Sequence, residues 1–202
     1  MMISLYPFLI AFIFVFISEL GDKTQLLVLS FSSKLKTSTI LLGVALGSFF
    51  SHGIAILFGS SIGVLEDEFL HMLLQVVTYS SFLLFGIFSF IPKKEHSKEH
   101  SKKASLISKM ANWGVGYIFI IAFSIAVGEI GDKTFLASLG LGISYPTSKI
   151  FLILGAIFGM VVSDSIAIVF GKFLSNKFSE NAIKKLSGIL FIIFGAVGFF
   201  TL

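Results

Sequence analysis

Glu19, Gly21, Asp22, Lys23 and Thr24 return 110 residues later as Glu129, Gly131, Asp132, Lys133 and Thr134. Both copies lie in otherwise apolar segments of membrane length. An ionisable side chain is costly at that depth and marks a candidate functional site by default. The four carboxylates and two ammonium groups leave two net negative charges, which one divalent cation would neutralise. Hard cations take carboxylate, carbonyl and water oxygens, whereas soft ones take sulfur. The chain has no cysteine, so a thiolate site is excluded. Glu19, Asp22, Glu129 and Asp132 are therefore the candidate metal ligands. Thr24, Gln25 and Thr134 add neutral oxygens, and Gly21 and Gly131 permit either close helix approach or local unwinding that would free backbone carbonyls as extra ligands. Glu19, Asp22 and Lys23 stand at i, i+3 and i+4 and so are expected to share one helix face, as are Glu129, Asp132 and Lys133. Phe135 stands where the first copy has Gln25, so one shared site is favoured over two identical ones.

The motif lysines have two readings. Lys23 and Lys133 either snorkel to the membrane surface beside their own aspartates or balance charge, keeping neighbouring carboxylates ionised when no cation is bound. A carboxylate in low dielectric otherwise tends to take up a proton, and metal binding expels it because ligands must be deprotonated. That competition is a sufficient basis for cation/proton exchange. His52 and Asp164 follow Ser51 and Ser163 in equivalent places of the two halves. His52 is read as a proton acceptor or accessory ligand, or else as a helix-packing histidine. Asp164, a carboxylate in the middle of an apolar helix, needs a partner and is read as an accessory cation or proton site.

These groups must be held by helices. The 202-residue chain is 55% hydrophobic and 13% charged, with a mean hydropathy of +0.99. A soluble domain carries about twice that charged fraction. The apolar runs are continuous rather than alternating, which selects membrane helices over a barrel. Six spans are expected at roughly 5–30, 40–64, 69–91, 113–140, 150–174 and 186–201, the last extending back toward Ala182. The N-terminal run lacks a basic leader and a small-residue cleavage site, so it is expected as a retained helix. Twelve of the fifteen lysines fall in the first, third and fifth loops. The positive-inside rule then puts the KKEHSKEHSKK stretch in the cytoplasm and both termini outside. The formal charge of +4 thus reflects membrane flanks and gives no reason to expect nucleic acid. His96 and His100 in that stretch belong to a solvated charged loop.

The repeat extends beyond the motif. Gly43, Gly47, Ser51, Ala55 and Gly59 match Gly155, Gly159, Ser163, Ala167 and Gly171 at an offset of 112, and Phe85-Gly86 matches Phe194-Gly195 at 109. The GxxxG spacings mark close helix packing. Each half holds three helices, an odd number, so the second enters the membrane from the opposite side. The expected fold is an all-α membrane protein of six transmembrane helices in two inverted-topology three-helix repeats, residues 1–91 and 113–202, joined by a charged linker at 92–112. No P-loop or HExxH is present, so nucleotide-binding and zinc-hydrolase motifs are missing and transport must be driven by a gradient.

The paired E-x-G-D-[KR]-[TS] motifs, one in each half, resemble those of the Golgi manganese/calcium transporters and their bacterial manganese-exporter relatives, the second Ca2+:cation antiporter family. The resemblance covers the whole chain, and both copies match at every defined position. It implies a non-enzymatic carrier with the motif acids at its cation site, no cofactor, and Mn2+ or Ca2+ as the transported substrate, exchanged for H+. Compact size points to a bacterial inner membrane and to export from the cytoplasm. A homo-oligomer is compatible with this size. Two other classes remain open at the level of residues: a membrane metal sensor or scaffold, and an intramembrane enzyme using the same acids. Mg2+ is a further candidate substrate.

Overall fold

A computed structural model describes residues 2–20, 22–32, 35–65, 68–91, 116–177 and 180–200. Among these the chain is helical, with no strand. Helix α1 spans Met2–Glu19 and α2 Lys23–Ser32. Helix α3, Thr37–Ser48, runs through a π turn at Phe49–Gly53 into α4, Ile54–Gly63. Helix α5 covers Glu68–Phe88. The second half supplies α6 at Tyr117–Glu129, α7 at Lys133–Ser144, a short 3-10 turn at Pro146–Ser148, α8 at Lys149–Lys177 and α9 at Glu180–Phe200. Two stretches, Thr37–Gly63 and Pro146–Val169, are long and apolar enough to cross a membrane by length and composition. Leu5–Glu19, Met72–Phe88, Tyr117–Glu129 and Gly188–Phe200 are shorter apolar helices. The 92–112 linker lies outside the described residues.

The expected first and fourth spans, 5–30 and 113–140, are each interrupted at the motif. Ile130 leaves the helical region at ψ 122°, Gly131 takes φ +80° and Asp132 is extended at φ −79°, ψ 170°. A residue with a side chain pays a steric penalty in that left-handed region, and glycine does not. The same turn closes in both copies: Asp22 N–H donates to Glu19 C=O at 3.1 Å, and Asp132 N–H to Glu129 C=O at 2.9 Å. The motif glutamate therefore ends one helix, and the lysine opens the next. The three charged residues do not share a helix face, because the glycine turn separates them. The sixth helix begins at Glu180, earlier than its apolar run suggests.

Packing pairs one half with the other. Helix α1 lies along α8, α3 along α6, α4 along α7 and α5 along α9. Small residues set the separations. A Cβ on Gly159 of α8 would sit 2.7 Å from Phe12 C=O of α1, and one on Gly47 of α3 would sit 2.8 Å from Ala122 C=O of α6. Gly155 likewise approaches Phe8 and Ala11, as Gly43 approaches Ile121. These contacts fall in one register once the repeat offsets are applied. A second seam joins Phe14 of α1, Phe82 of α5 and Phe191 of α9, with Phe14 and Phe191 edge-to-face at 4.7 Å.

Polarity runs opposite to that of a water-soluble domain. Phe58, Phe69, Phe119, Ile150 and Val169 face outward, while Glu19, His52, Glu129 and Asp164 are buried. An apolar exterior around an ionisable interior is the distribution that a bilayer favours.

Candidate cation site

The site is built where the two interrupted segments meet. Helices α1 and α6 end on Glu19 and Glu129, each 1% exposed. A helix C-terminus carries partial negative charge, so each carboxylate is reinforced toward a cation by the end of its own helix, an arrangement used in transporter ion sites. From α3–α4 the π turn contributes His52, fully buried between Ser51 and Gly53. Such turns occur disproportionately at functional sites. Glu19, His52 and Glu129 each offer one ligand atom, and these three atoms lie within 4.8 Å of one another. Among the described residues this is the group of acids and histidines able to hold a metal ion.

Neighbours hold Glu129 and His52 in place. Thr134 Oγ1 donates to Glu129 Oε2 at 2.9 Å. His52 Nδ1 lies 3.0 Å from Ser138 Oγ. Asp164, on α8, is 1% exposed, and Glu19 and Asp164 both lie within electrostatic reach of Glu129. Gln25 Nε2 donates to Ser163 Oγ at 2.8 Å and to Ser163 C=O at 3.3 Å, tying α2 to α8.

The motif aspartates sit differently from the glutamates. Asp22 pairs with Lys133 of the other motif, Oδ2 to Nζ at 3.4 Å, and the same ammonium donates to Ser18 C=O at 3.2 Å. Lys133 thus crosses to the opposite half instead of snorkelling beside Asp132. Asp132 occupies the N-cap position of α7, partly buried. The side chains of Lys23 and Thr24 lie outside the described residues. Of the four expected acidic ligands, the structure brings Glu19 and Glu129 together with His52, and it engages Asp22 with the crossing lysine. Ser138, Ser163 and the Ser18 carbonyl were not anticipated as partners. One signal was available: Ser138 stands where the first copy has Val28, a polar change at a matched position.

Paired buried carboxylates at the ends of interrupted helices, inside an apolar-surfaced bundle, define the class of cation-handling membrane proteins. The family model described as divalent cation/proton antiporter GDT1 matches the chain twice, over residues 7–97 and 117–201, and the chain belongs to this family. It is a family of transporters, not enzymes, with the cation as substrate and no cofactor needed. The chain is 30% identical over 187 residues to the "Putative manganese exporter" of Vibrio cholerae, covering 91% of this chain and 86% of that one. It is 28% identical to "Protein PAM71, chloroplastic" of Arabidopsis thaliana, covering 93% of this chain and 55% of that protein. A GDT1-like protein of Synechocystis is 25% identical, with 92% of each chain covered. The chain thus spans little more than half the length of the Arabidopsis relative. No solved structure matches it.

Proposed function

We propose that this chain is a secondary antiporter that exports Mn2+, or Ca2+, from the cytoplasm in exchange for H+, using one cation site shared by its two halves. The observation that carries this reading is the convergence of Glu19, Glu129 and His52, all buried, to within 4.8 Å. The name of the Vibrio cholerae relative specifies manganese. Carboxylates must be deprotonated to ligate, and in low dielectric they favour the neutral form when no cation is present. Cation and proton therefore compete for the same oxygens, which couples their opposed movements. Thr134 and Gln25 orient the site, Asp164 stands close enough to share its protons, and Lys23 and Lys133 balance charge. Asp22 and Asp132 would join the coordination when the turns at Gly21 and Gly131 rearrange.

The scaffold for this function is six transmembrane helices in two inverted repeats, residues 1–91 and 113–202, with the 92–112 linker in the cytoplasm and both termini outside a bacterial inner membrane. Two features support it. The family model matches once in each half, and glycine contacts of α8 on α1 repeat, in register, as those of α3 on α6. The lysine distribution supports the orientation.

The test is a flux measurement on purified protein in liposomes carrying an internal Mn2+-responsive dye, with and without an imposed pH gradient. Gradient-driven Mn2+ movement is expected, and it is lost in Glu19→Gln and in Glu129→Gln while both variants remain folded. Wild-type rates in both variants would place the site elsewhere. Flux indifferent to the pH gradient would remove H+ as the counter-ion.

A further inference from the structure

We propose that His52 determines which divalent cations the site accepts, its Nε2 completing a mixed nitrogen–oxygen ligand set with Glu19 and Glu129 that fits Mn2+ better than Ca2+ or Mg2+. The inference rests on the cation-site reading above and adds to it a selectivity mechanism.

The imidazole is fully buried, and its two nitrogens are treated differently. Nδ1 is held 3.0 Å from Ser138 Oγ, and the backbone of Thr134 lies beside the ring. Nε2 is buried with no hydrogen-bond partner among the described residues. With the proton on Nδ1 and donated to Ser138, Nε2 presents a bare lone pair. This is the arrangement of metal-binding histidines, whose second nitrogen donates to a fixed neighbour that sets tautomer and ring orientation. A histidine serving packing alone would leave a buried polar nitrogen unsatisfied, at a cost. The 4.8 Å limit on the three ligand atoms is a span that one ion closes with little movement, since ligand–metal distances are about 2.0–2.6 Å.

Ligand chemistry supplies the direction. Ca2+ and Mg2+ take oxygen ligands; Mn2+ shares their preference for carboxylate and water, yet as a first-row transition ion it also accepts an imidazole nitrogen. Mn2+ binds most weakly of that series, so one nitrogen beside two carboxylates favours it over the alkaline earths without the tight hold that would prevent release. The device is present once. The position matching His52 in the second half is Asp164, and the position matching Ser138 in the first is Val28.

Mn2+ and Ca2+ fluxes are to be measured separately in liposomes for the wild type, His52→Gln and Glu19→Gln. The wild type moves Mn2+ faster than Ca2+, and Glu19→Gln silences both. His52→Gln retains flux but shifts the Mn2+:Ca2+ ratio toward Ca2+ by about tenfold or more, the scale on which ligand and supporting groups affect metal affinity. An unchanged ratio in His52→Gln, or a wild type that prefers Ca2+, overturns the inference and leaves the antiporter reading standing. No wild-type flux, or full flux in Glu19→Gln, overturns that reading and this one with it. Pulsed electron paramagnetic resonance of Mn2+ bound to the wild-type protein decides the matter if His52→Gln does not fold. A nitrogen coupling from a ligating imidazole supports the inference, and a site with oxygen ligands alone overturns it.

Discussion

The crossing pair Asp22–Lys133 yields a prediction whose size follows from its geometry. The variants are Asp22→Asn, Lys133→Met and the double substitution. At 3.4 Å, two unit charges attract by about 5 kcal/mol at an effective dielectric near 20. Side-chain exposures of 21% and 19% mean that most of the hydration of both groups is already lost, and this desolvation offsets much of the attraction. Lys133→Met also removes the donor to Ser18 C=O, so it is expected to be the costlier single change, at about 3 kcal/mol. Asp22→Asn keeps the shape and a weaker hydrogen bond, and about 2 kcal/mol is expected. The double variant leaves neither charge behind, so its cost falls short of the sum by a coupling of about 1–3 kcal/mol. Reversible unfolding in mixed micelles, titrated with a denaturing detergent, measures all four proteins. Additivity to within about 0.5 kcal/mol would refute the cross-motif bridge and return Lys133 to a local or surface role.

Four further outcomes are expected. Gly131→Ala should cost about 1 kcal/mol from its φ of +80° alone, because its Cβ would meet nothing within 4 Å. Gly142→Ala should cost about 3 kcal/mol, since its Cβ would lie 2.5 Å from Ile56 C=O and 3.0 Å from Ser60 N; the same titration compares them, and the reverse order would count against the α4–α7 packing. Gln25→Leu removes the bond to Ser163 Oγ and should destabilise by about 1–3 kcal/mol, and a change within experimental error would mean that this link does not hold α2 to α8. The absence of cysteine permits a clean topology test: single cysteines at Val64 and Ser101 should react with a membrane-impermeant maleimide from opposite faces, and labelling from one face would exclude the proposed orientation.

Much of the architecture was legible because lipid imposes a simple rule on sequence. Apolar length marks helices, and the expected 40–64 and 150–174 segments lie within or near Thr37–Gly63 and Lys149–Lys177. The motif glycines suggested local unwinding, but the six-span reading still carried the first and fourth helices unbroken through them. Hydropathy is blind to a single residue at φ +80°, and Gly131 sits in an otherwise helical pattern. The π turn escaped for a related reason, since one extra residue in a turn leaves no mark on an apolar run. Glu19 and Glu129 were singled out by their cost in a membrane, a property of each residue alone. Their neighbours were harder to find, because Lys133 meets Asp22 and Gln25 meets Ser163 across long separations that only the packed bundle defines. Adjacency in sequence suggested that each lysine serves its own aspartate, and for Lys133 the chain break turns that pairing across to the other half.

Scaffold and site follow opposite rules in this duplication. Close glycine contacts are kept in both halves, Gly43 and Gly47 on α6 as Gly155 and Gly159 on α1. A carrier that exchanges two access states by rocking one repeat against the other needs those states near each other in free energy, and matched packing surfaces provide that balance. A cation, by contrast, needs one ligand set at a time. The polar neighbours have accordingly diverged: His52 faces Ser138, whereas the matched positions are Asp164 and Val28, and Gln25 corresponds to Phe135. Only the two glutamates, which reach the shared centre from both helix ends, are common to the two copies and to the cluster. A strictly symmetric site would offer the ion two equivalent seats and double the buried charge to be neutralised. In the proposed shared site, keeping the acids while varying their neighbours would leave one seat with a defined chemistry, and the nitrogen of His52 is where that chemistry departs furthest from its repeat.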